Sequence, residues 1–252
     1  MPDFYPEMEE YEYILFHSKL GQIGREYIRS RGLSPHTAKY WHLGYSPENY
    51  TPSCYEEFKN KRINKFWKKL NGRLIIPIFD QNGNLLSLSG RGILPKMWPK
   101  YDHYPFPAKR TLFGLFQNKG SIREENLAII TEGQIDVISA WQKGIRTVTS
   151  SFGAHTGQEH FALLGRYTNN IFVLFDSDAA GDRGAKNTQR IKKADLNVKE
   201  CIGLLPKNLD LDNWVKTGTK EELYNLLNDN KRIGLKQKLE LIRKKGLKTG
   251  EF

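Results

Sequence analysis

The apolar run Phe172-Val173-Leu174-Phe175 ends abruptly at Asp176-Ser177-Asp178-Ala179-Ala180-Gly181-Asp182. Apolar runs of this length read as strands buried on both faces, and such strands belong to parallel sheets. Ligands of parallel sheets bind beyond the carboxyl ends of the strands. Two carboxylates spaced i, i+2 at such an end repel one another unless a cation neutralises them. Hard oxygen donors of this kind suit Mg²⁺ or Mn²⁺.

The surrounding sequence supports a parallel sheet. From Asn126 onward, strand and helix patterns alternate. Strands are expected over Leu127 to Thr131, Arg146 to Thr149, Ile171 to Phe175 and Val198 to Leu205. Helices are expected over Ile135 to Lys143, Thr156 to Leu164 and Gly184 to Lys193. Right-handed crossovers then gather the carboxyl ends of the strands on one edge. Glu132 sits at the end of the first strand and Asp136 one helical turn later. Asp176, Asp178 and Asp182 follow the third strand, and Asp210 and Asp212 lie beyond the fourth. Any one of these acids is equally explained as a helix N-cap or a solvated loop residue. The set, each member at a strand end, points to a metal-binding rim. Gly133 and Gly181 let the backbone approach a phosphate or metal closely, and each precedes a helix whose free N–H groups favour anions.

The first half reads differently. Ile23, Tyr27 and Ile28 form an apolar stripe at helical spacing, closed by Gly32, and Ser34-Pro35 opens the next helix. A basic helical stretch runs from Cys54 to Arg73, with Lys59, Lys61, Arg62, Lys65, Lys68 and Lys69 in it. Leu74 to Phe79 and Leu85 to Ser89 flank the turn Asp80-Gln81-Asn82-Gly83-Asn84, which predicts a β-hairpin. Pro95, Pro99, Pro105 and Pro107 mark a loop-rich segment. Tyr101 and Trp98 are the flat aromatic rings of this segment, available to stack on a planar ligand, with core burial expected for Trp98.

Composition narrows the class. The chain has 252 residues, enough for one large domain or two modest ones. The formal charge of +11 favours a polyanionic partner. No apolar run approaches the roughly 18 residues of a membrane span. The acidic, aromatic start from Met1 to Tyr13 is unlike a signal peptide. Two distant cysteines, Cys54 and Cys201, argue against a disulfide framework or a cysteine-rich zinc site, and a reducing cytoplasm is the simplest compartment. His155 and His160 lack zincin spacing and read as surface or loop residues.

Thr131-Glu132-Gly133-Gln134-Ile135-Asp136 together with Asp176-Ser177-Asp178 resembles the Toprim signature shared by bacterial DnaG-type primases, several topoisomerases and some nucleases. It covers roughly residues 125 to 215. Upstream, Tyr27 to Leu33, Leu43-Gly44-Tyr45, the series Arg73, Pro77, Asp80, Gly83, Gly90, Arg91, then Lys100-Tyr101, Lys109 and Leu112-Phe113-Gly114-Leu115 resemble the polymerase core of the DnaG family. The late Asp210-Leu211-Asp212 also matches, although the family usually has proline where Leu211 stands. The similarity runs from about residue 20 to 225.

The resemblance implies an α/β fold in three parts. These are a basic, template-binding α+β subdomain over 1–120, a Rossmann-like Toprim sheet with flanking helices over 121–215, and a short helical segment over 216–252. It implies a primase catalytic core that makes short RNA primers on single-stranded DNA from nucleoside triphosphates. Glu132, Asp176 and Asp178 would be catalytic and hold two or more Mg²⁺ or Mn²⁺ ions, with Asp136, Asp182, Asp210 and Asp212 as further metal-site residues. Arg73, Arg91, Lys100, Tyr101, Lys109 and Arg110 would contact nucleic acid or nucleotide. The chain lacks the cysteines of the family's zinc-binding domain, so that module, like the replicative helicase, is expected to act in trans. A catalytic-core fragment or a minimal primase, bacterial or viral, fits this pattern. A Toprim nuclease would use the same acids with water as nucleophile, but has no need of the Arg73-to-Lys109 series. A silent replisome module would not require an intact acidic rim.

Overall fold

A computed structural model describes residues 4–53, 61–153, 156–175, 197–200, 205 and 210–229. The chain divides between Gln117 and Asn118 into two compact units.

The first unit begins with α1 (Tyr5–His17), α2 (Gln22–Ser30) and α3 (Pro35–Tyr40). Local chemistry sets their ends. Gly32 takes φ +74° after α2, and Leu33 N–H donates to the Ile28 carbonyl, closing the last turn. The Ser34 hydroxyl accepts from Thr37 N–H at 3.1 Å, and Pro35 follows as the first helical residue. The expected stripe on α2 is shifted, however. Ile28 is buried, but Ile23 is 42% exposed. Gly24 takes the packed position instead: a Cβ there would lie 2.8 Å from Leu15 Cδ1 and 3.0 Å from Tyr45 Cβ.

Next come β1 (Gly44–Ser46), α4 (Lys61–Leu70), β2 (Arg73–Phe79), β3 (Leu85–Gly92) and β4 (Tyr101–His103). They build an antiparallel sheet in the order β1-β2-β3-β4. The predicted hairpin is β2–β3. Its turn is closed by Asp80, whose carboxylate accepts from Asn82 N–H, Asn84 N–H and Asn84 Nδ2, while Gly83 sits at φ +96°. Burial acts to raise the Asp80 carboxyl, but these bonds and the Gly83 backbone together hold it below its ordinary pKa. The α4 helix stops at Leu70, so Arg73 belongs to the sheet and not to the basic helical run. The proline-rich segment hides a strand: β4 is only three residues long and gains its order from pairing with β3. Tyr11, Leu15, Trp41, Tyr45, Trp67, Leu74 and Ile76 form the core, with Trp41 stacked on Phe113 at 5.2 Å.

The second unit contains β5 (Ala128–Thr131), α6 (Gln134–Gln142), β6 (Val148–Ser150), α7 (Gln158–Leu164), β7 (Asn170–Val173), β8 (Asn197–Glu200) and α8 (Leu211–Trp214). A further helix, α9, spans 220–229. Between the units' main elements, α5 covers Leu115–Glu124. The four strands are parallel, in the order β6-β5-β7-β8. Every residue of β5 is buried, so both faces of this central strand are covered. The helix predicted over 184–193 lies outside the described residues. His160, expected on a surface or loop, is buried. Its Nδ1 accepts from Gly157 N–H at 3.2 Å and caps α7. Among the described residues no helix is long and apolar enough to cross a membrane.

Two outcomes are expected. Gly44→Ala would set a methyl 2.6 Å from Tyr11 Cβ and 2.8 Å from the Tyr11 carbonyl carbon. Backbone cannot yield there, so urea unfolding should show a loss of about 1–3 kcal/mol. His42 Nδ1 lies 3.0 Å from Glu12 Oε2. That bond raises the His42 pKa against the opposing effect of burial. A raised folded pKa stabilises fully below the unfolded pKa and loses this contribution as pH rises through the folded one. An NMR titration should place the His42 midpoint above 6.5, the ordinary value, and Glu12→Gln should lower it. The stability advantage over that variant should fade above the raised midpoint.

Candidate active site and basic face

The strand order creates the site. The chain passes from β5 to β6 on one side, then crosses to β7 on the other side of β5. The connections leave in opposite directions from β5 and β7, which makes the crevice at their carboxyl ends the topological switch point. Glu132 stands where the chain leaves β5 and is half-buried. Its carbonyl accepts from Ser150 Oγ at 2.7 Å and from Gly153 N–H at 2.9 Å, so the turn is fixed by the neighbouring strand end. Across the crevice, Ile130 pairs with Val173, and Leu174 N–H donates to the Ile130 carbonyl at 2.8 Å. The described part of β7 therefore runs beside β5 as far as Leu174. Asp176, Asp178 and Asp182 lie outside the described residues.

The late acids reach the same edge. Asp136 Oδ2 accepts from Gly133 N–H at 3.0 Å and caps α6. Its Oδ1 accepts from Asp212 N–H at 3.1 Å. Asp212 Oδ1 in turn accepts from the Ser139 hydroxyl at 2.6 Å. Asp136 and Asp212 are 8% and 1% exposed. Buried carboxylates need such donors, since an unsatisfied charge loses its hydration without return. Asp210 caps α8 by accepting from Asn213 N–H at 2.8 Å. A Cβ at Gly133 would lie 2.6 Å from Asp136 Oδ2, so a side chain there would displace the capping carboxylate. Thus Asp136 and Asp212 come together at the start of α6, and Glu132 stands two residues before that helix. Ser139, which sequence reasoning passed over, is part of the same network. Its signal was its position, three residues after Asp136 on the helix face that meets the late loop. Among the described residues no three His, Cys, Asp or Glu side chains form a group able to hold a metal ion.

The basic residues of the first unit fall into two sets. Lys100, Lys109 and Arg110 are exposed. Lys109 and Arg110, with Phe106, Pro107 and Ala108, line a hollow of about 430 Å³. Arg73 and Arg91 are buried, at 4% and 6% exposure. Arg73 Nη1 donates to the Gly90 carbonyl at 3.2 Å and the Pro99 carbonyl at 2.8 Å. Burial lowers its pKa, with Asp102 opposing. Gly90 and Gly92 make its path: a Cβ at Gly90 would meet Arg73 Cδ at 2.8 Å, and one at Gly92 would meet Nη1 at 3.2 Å. Arg91 donates to the Tyr27 and Tyr101 hydroxyls, and its guanidinium lies 5.0 Å from the Tyr101 ring centroid. Lys68 and Lys69 on α4 are exposed, and Lys69 pairs with Asp102 at 3.3 Å. Trp98, expected in the core, is 86% exposed.

A parallel sheet with an acidic loop at its switch point, in a chain whose other unit is an antiparallel sheet carrying basic residues, defines a Toprim-class protein. Residues 129–215 match the Toprim-like family, and residues 11–119 match the N-terminal domain of the DNA primase catalytic core. The DNA primase of Aquifex aeolicus (strain VF5) is 33% identical over 222 residues, which are 81% of this chain and 44% of that protein. The chain therefore spans less than half the length of this relative. A crystal structure of the Aquifex aeolicus primase, with zinc-binding and RNA polymerase domains, aligns at a TM-score of 0.73. It is 28% identical and covers 88% of this chain and 58% of that one. A DnaG primase catalytic domain bound to single-stranded DNA aligns at 0.74 with 24% identity, covering 88% and 78%, and at that identity shows the fold. The chain belongs to the DnaG primase catalytic-core family.

Asp136→Asn keeps one acceptor but turns an amide NH₂ toward the second backbone donor. Unfolding should show a loss of about 1–3 kcal/mol, and hydrogen exchange at the Asp212 amide should accelerate against wild type.

Proposed function

We propose that the chain is the polymerising core of a primase, joining nucleoside triphosphates into short RNA primers on single-stranded DNA. The observation that carries this reading is the Asp212-to-Asp136 hydrogen bond at the switch point of a Toprim sheet. It draws an acidic loop from the end of the unit onto the acidic turn after β5. The primase-core match of the other unit supports the same reading, as does the fold's likeness to a catalytic domain bound to single-stranded DNA.

The donor set is made of carboxylates, the chemistry of hard divalent cations and not of zinc. Glu132, Asp176 and Asp178 would hold Mg²⁺ or Mn²⁺, two or more ions. Such ions, when bound, lower the pKa of a primer 3′-hydroxyl and neutralise charge growing on the attacked α-phosphate as pyrophosphate leaves. Asp182 and Asp210 would add further oxygen donors. Asp136 and Asp212 act as positioning residues, because the Asp136 oxygens hold the Gly133 and Asp212 amides and an Asp212 oxygen holds Ser139. Lys100, Lys109 and Arg110 take phosphates of template or triphosphate. Arg73 and Arg91 work from beneath, one holding the Pro99 carbonyl and the other the Tyr101 hydroxyl. The compartment is the cytoplasm. A zinc-binding module, present in the Aquifex aeolicus structure, and the replicative helicase are the expected protein partners.

The test incubates the protein with single-stranded DNA, labelled nucleoside triphosphates and Mg²⁺ or Mn²⁺, then sizes the products. Short oligomers support the reading; shortened template with no new oligomer would replace it with a nuclease. Glu132→Gln and Asp176→Asn should each reduce synthesis about 100-fold or more, as expected for loss of a group stabilising transition-state charge. Near-normal synthesis in both variants would discard the assignment.

A further inference from the structure

Trp98 differs from the other tryptophans. Trp41 and Trp67 are 1% exposed, Trp141 6% and Trp214 8%, against 86% for Trp98. A ring of this size is ordinarily buried, so something must hold it in water. The backbone on either side does. Met97 N–H donates to the Leu94 carbonyl at 3.3 Å, and Gly92 N–H donates to the Lys100 carbonyl at 2.9 Å. The Pro99 carbonyl accepts from buried Arg73 at 2.8 Å. Met97 packs over two glycines: a Cβ at Gly92 would lie 2.9 Å from Met97 Cβ, and one at Gly72 would lie 3.4 Å from Met97 Cε. With both flanks anchored and Met97 turned inward, the indole at the next position is presented outward.

The neighbours of the ring indicate its ligand. Along the loop, the other exposed residues are Pro95, Lys96 and Lys100. A protein-docking anchor is ordinarily ringed by contacts that exclude water. Two lysines spaced evenly about an exposed indole suit instead a ligand with a π-face and regularly spaced negative charge, which is an unpaired strand of nucleic acid.

We propose that Trp98 is a stacking platform for an unpaired base of the template, with Lys96 and Lys100 taking the phosphates on either side. This rests on the nucleic-acid reading above and adds a residue to it. Because the other tryptophans are buried, Trp98 is also its own optical probe. An oligo(dT) strand should quench the solvent-exposed emission of the intact protein. In W98A and W98F that quench should vanish. Binding read separately, by anisotropy of a labelled oligo(dT), should weaken about 5- to 100-fold in W98A and much less in W98F. A labelled abasic strand of equal length should bind wild type and W98A alike, since it retains phosphates and lacks bases. Equal oligo(dT) affinity in W98A and wild type would overturn the stacking role and leave the nucleic-acid reading standing, with a protein partner as the next occupant to test. An equal loss on the abasic strand would also overturn stacking. Absence of binding by either strand at low salt would remove both proposals. Unchanged thermal unfolding of W98A separates these outcomes from misfolding.

Discussion

One carboxylate organises the acidic edge. Asp136 gives one oxygen to the first turn of its own helix and the other to the backbone of a loop 76 residues later. Neither bond is strong alone. A charged acceptor buried with two donors is nevertheless hard to displace, because any rearrangement leaves it without water and without partners. The turn at Glu132 and the loop at Asp210–Asp212 are thereby locked into one frame. Ser139 adds a second tie to the same loop through Asp212. The sheet supplies the place, since only between β5 and β7 do the crossovers part. The carboxylate supplies the registration.

The first unit solves a different problem. Its basic residues are not equivalent, and glycines decide which are spent on structure. Gly90 and Gly92 open a passage across β3 that Arg73 fills, and its guanidinium then organises the loop ahead of β4. Arg91 ties α2 to β4 through two tyrosine hydroxyls. Lys100, Lys109 and Arg110 are left in water. Lysine is well suited to that position, being a mobile, strongly hydrated point charge, while arginine's planar fork suits fixed carbonyl and phenol acceptors.

Much of this was legible in the sequence, and the exceptions have physical causes. Caps and turns were readable because their chemistry is local: Ser34-Pro35, Gly32 and the Asp80–Asn84 turn each satisfy their own backbone. The parallel sheet was readable from uninterrupted apolar strands. On α2 apolarity marks Ile28 correctly but also counts Ile23, while close packing there is made by a missing side chain at Gly24. Three residues between prolines did not announce β4, whose order comes from β3. Burial of His160 depends on capping its own helix, and arginine burial depends on distant glycines. The exposure of Trp98 likewise comes from backbone anchors that hydrophobicity does not encode. Glu132, Asp136 and Asp212 are legible as acids near strand ends, but their division between rim and network comes only from the hydrogen bonds.

The tie between Asp136 and Asp212 also orders events in time. Local helices and hairpins form with little loop entropy, whereas contacts between residues 73 and 76 positions apart close only after the intervening chain has been arranged. During synthesis on the ribosome, the turn after β5 emerges long before the loop that fastens it. The acidic edge is therefore finished among the last steps in the folding of its own unit. A nascent chain stalled before Asp212 would have most of its sheet-forming sequence but not the fastening of its chemical edge.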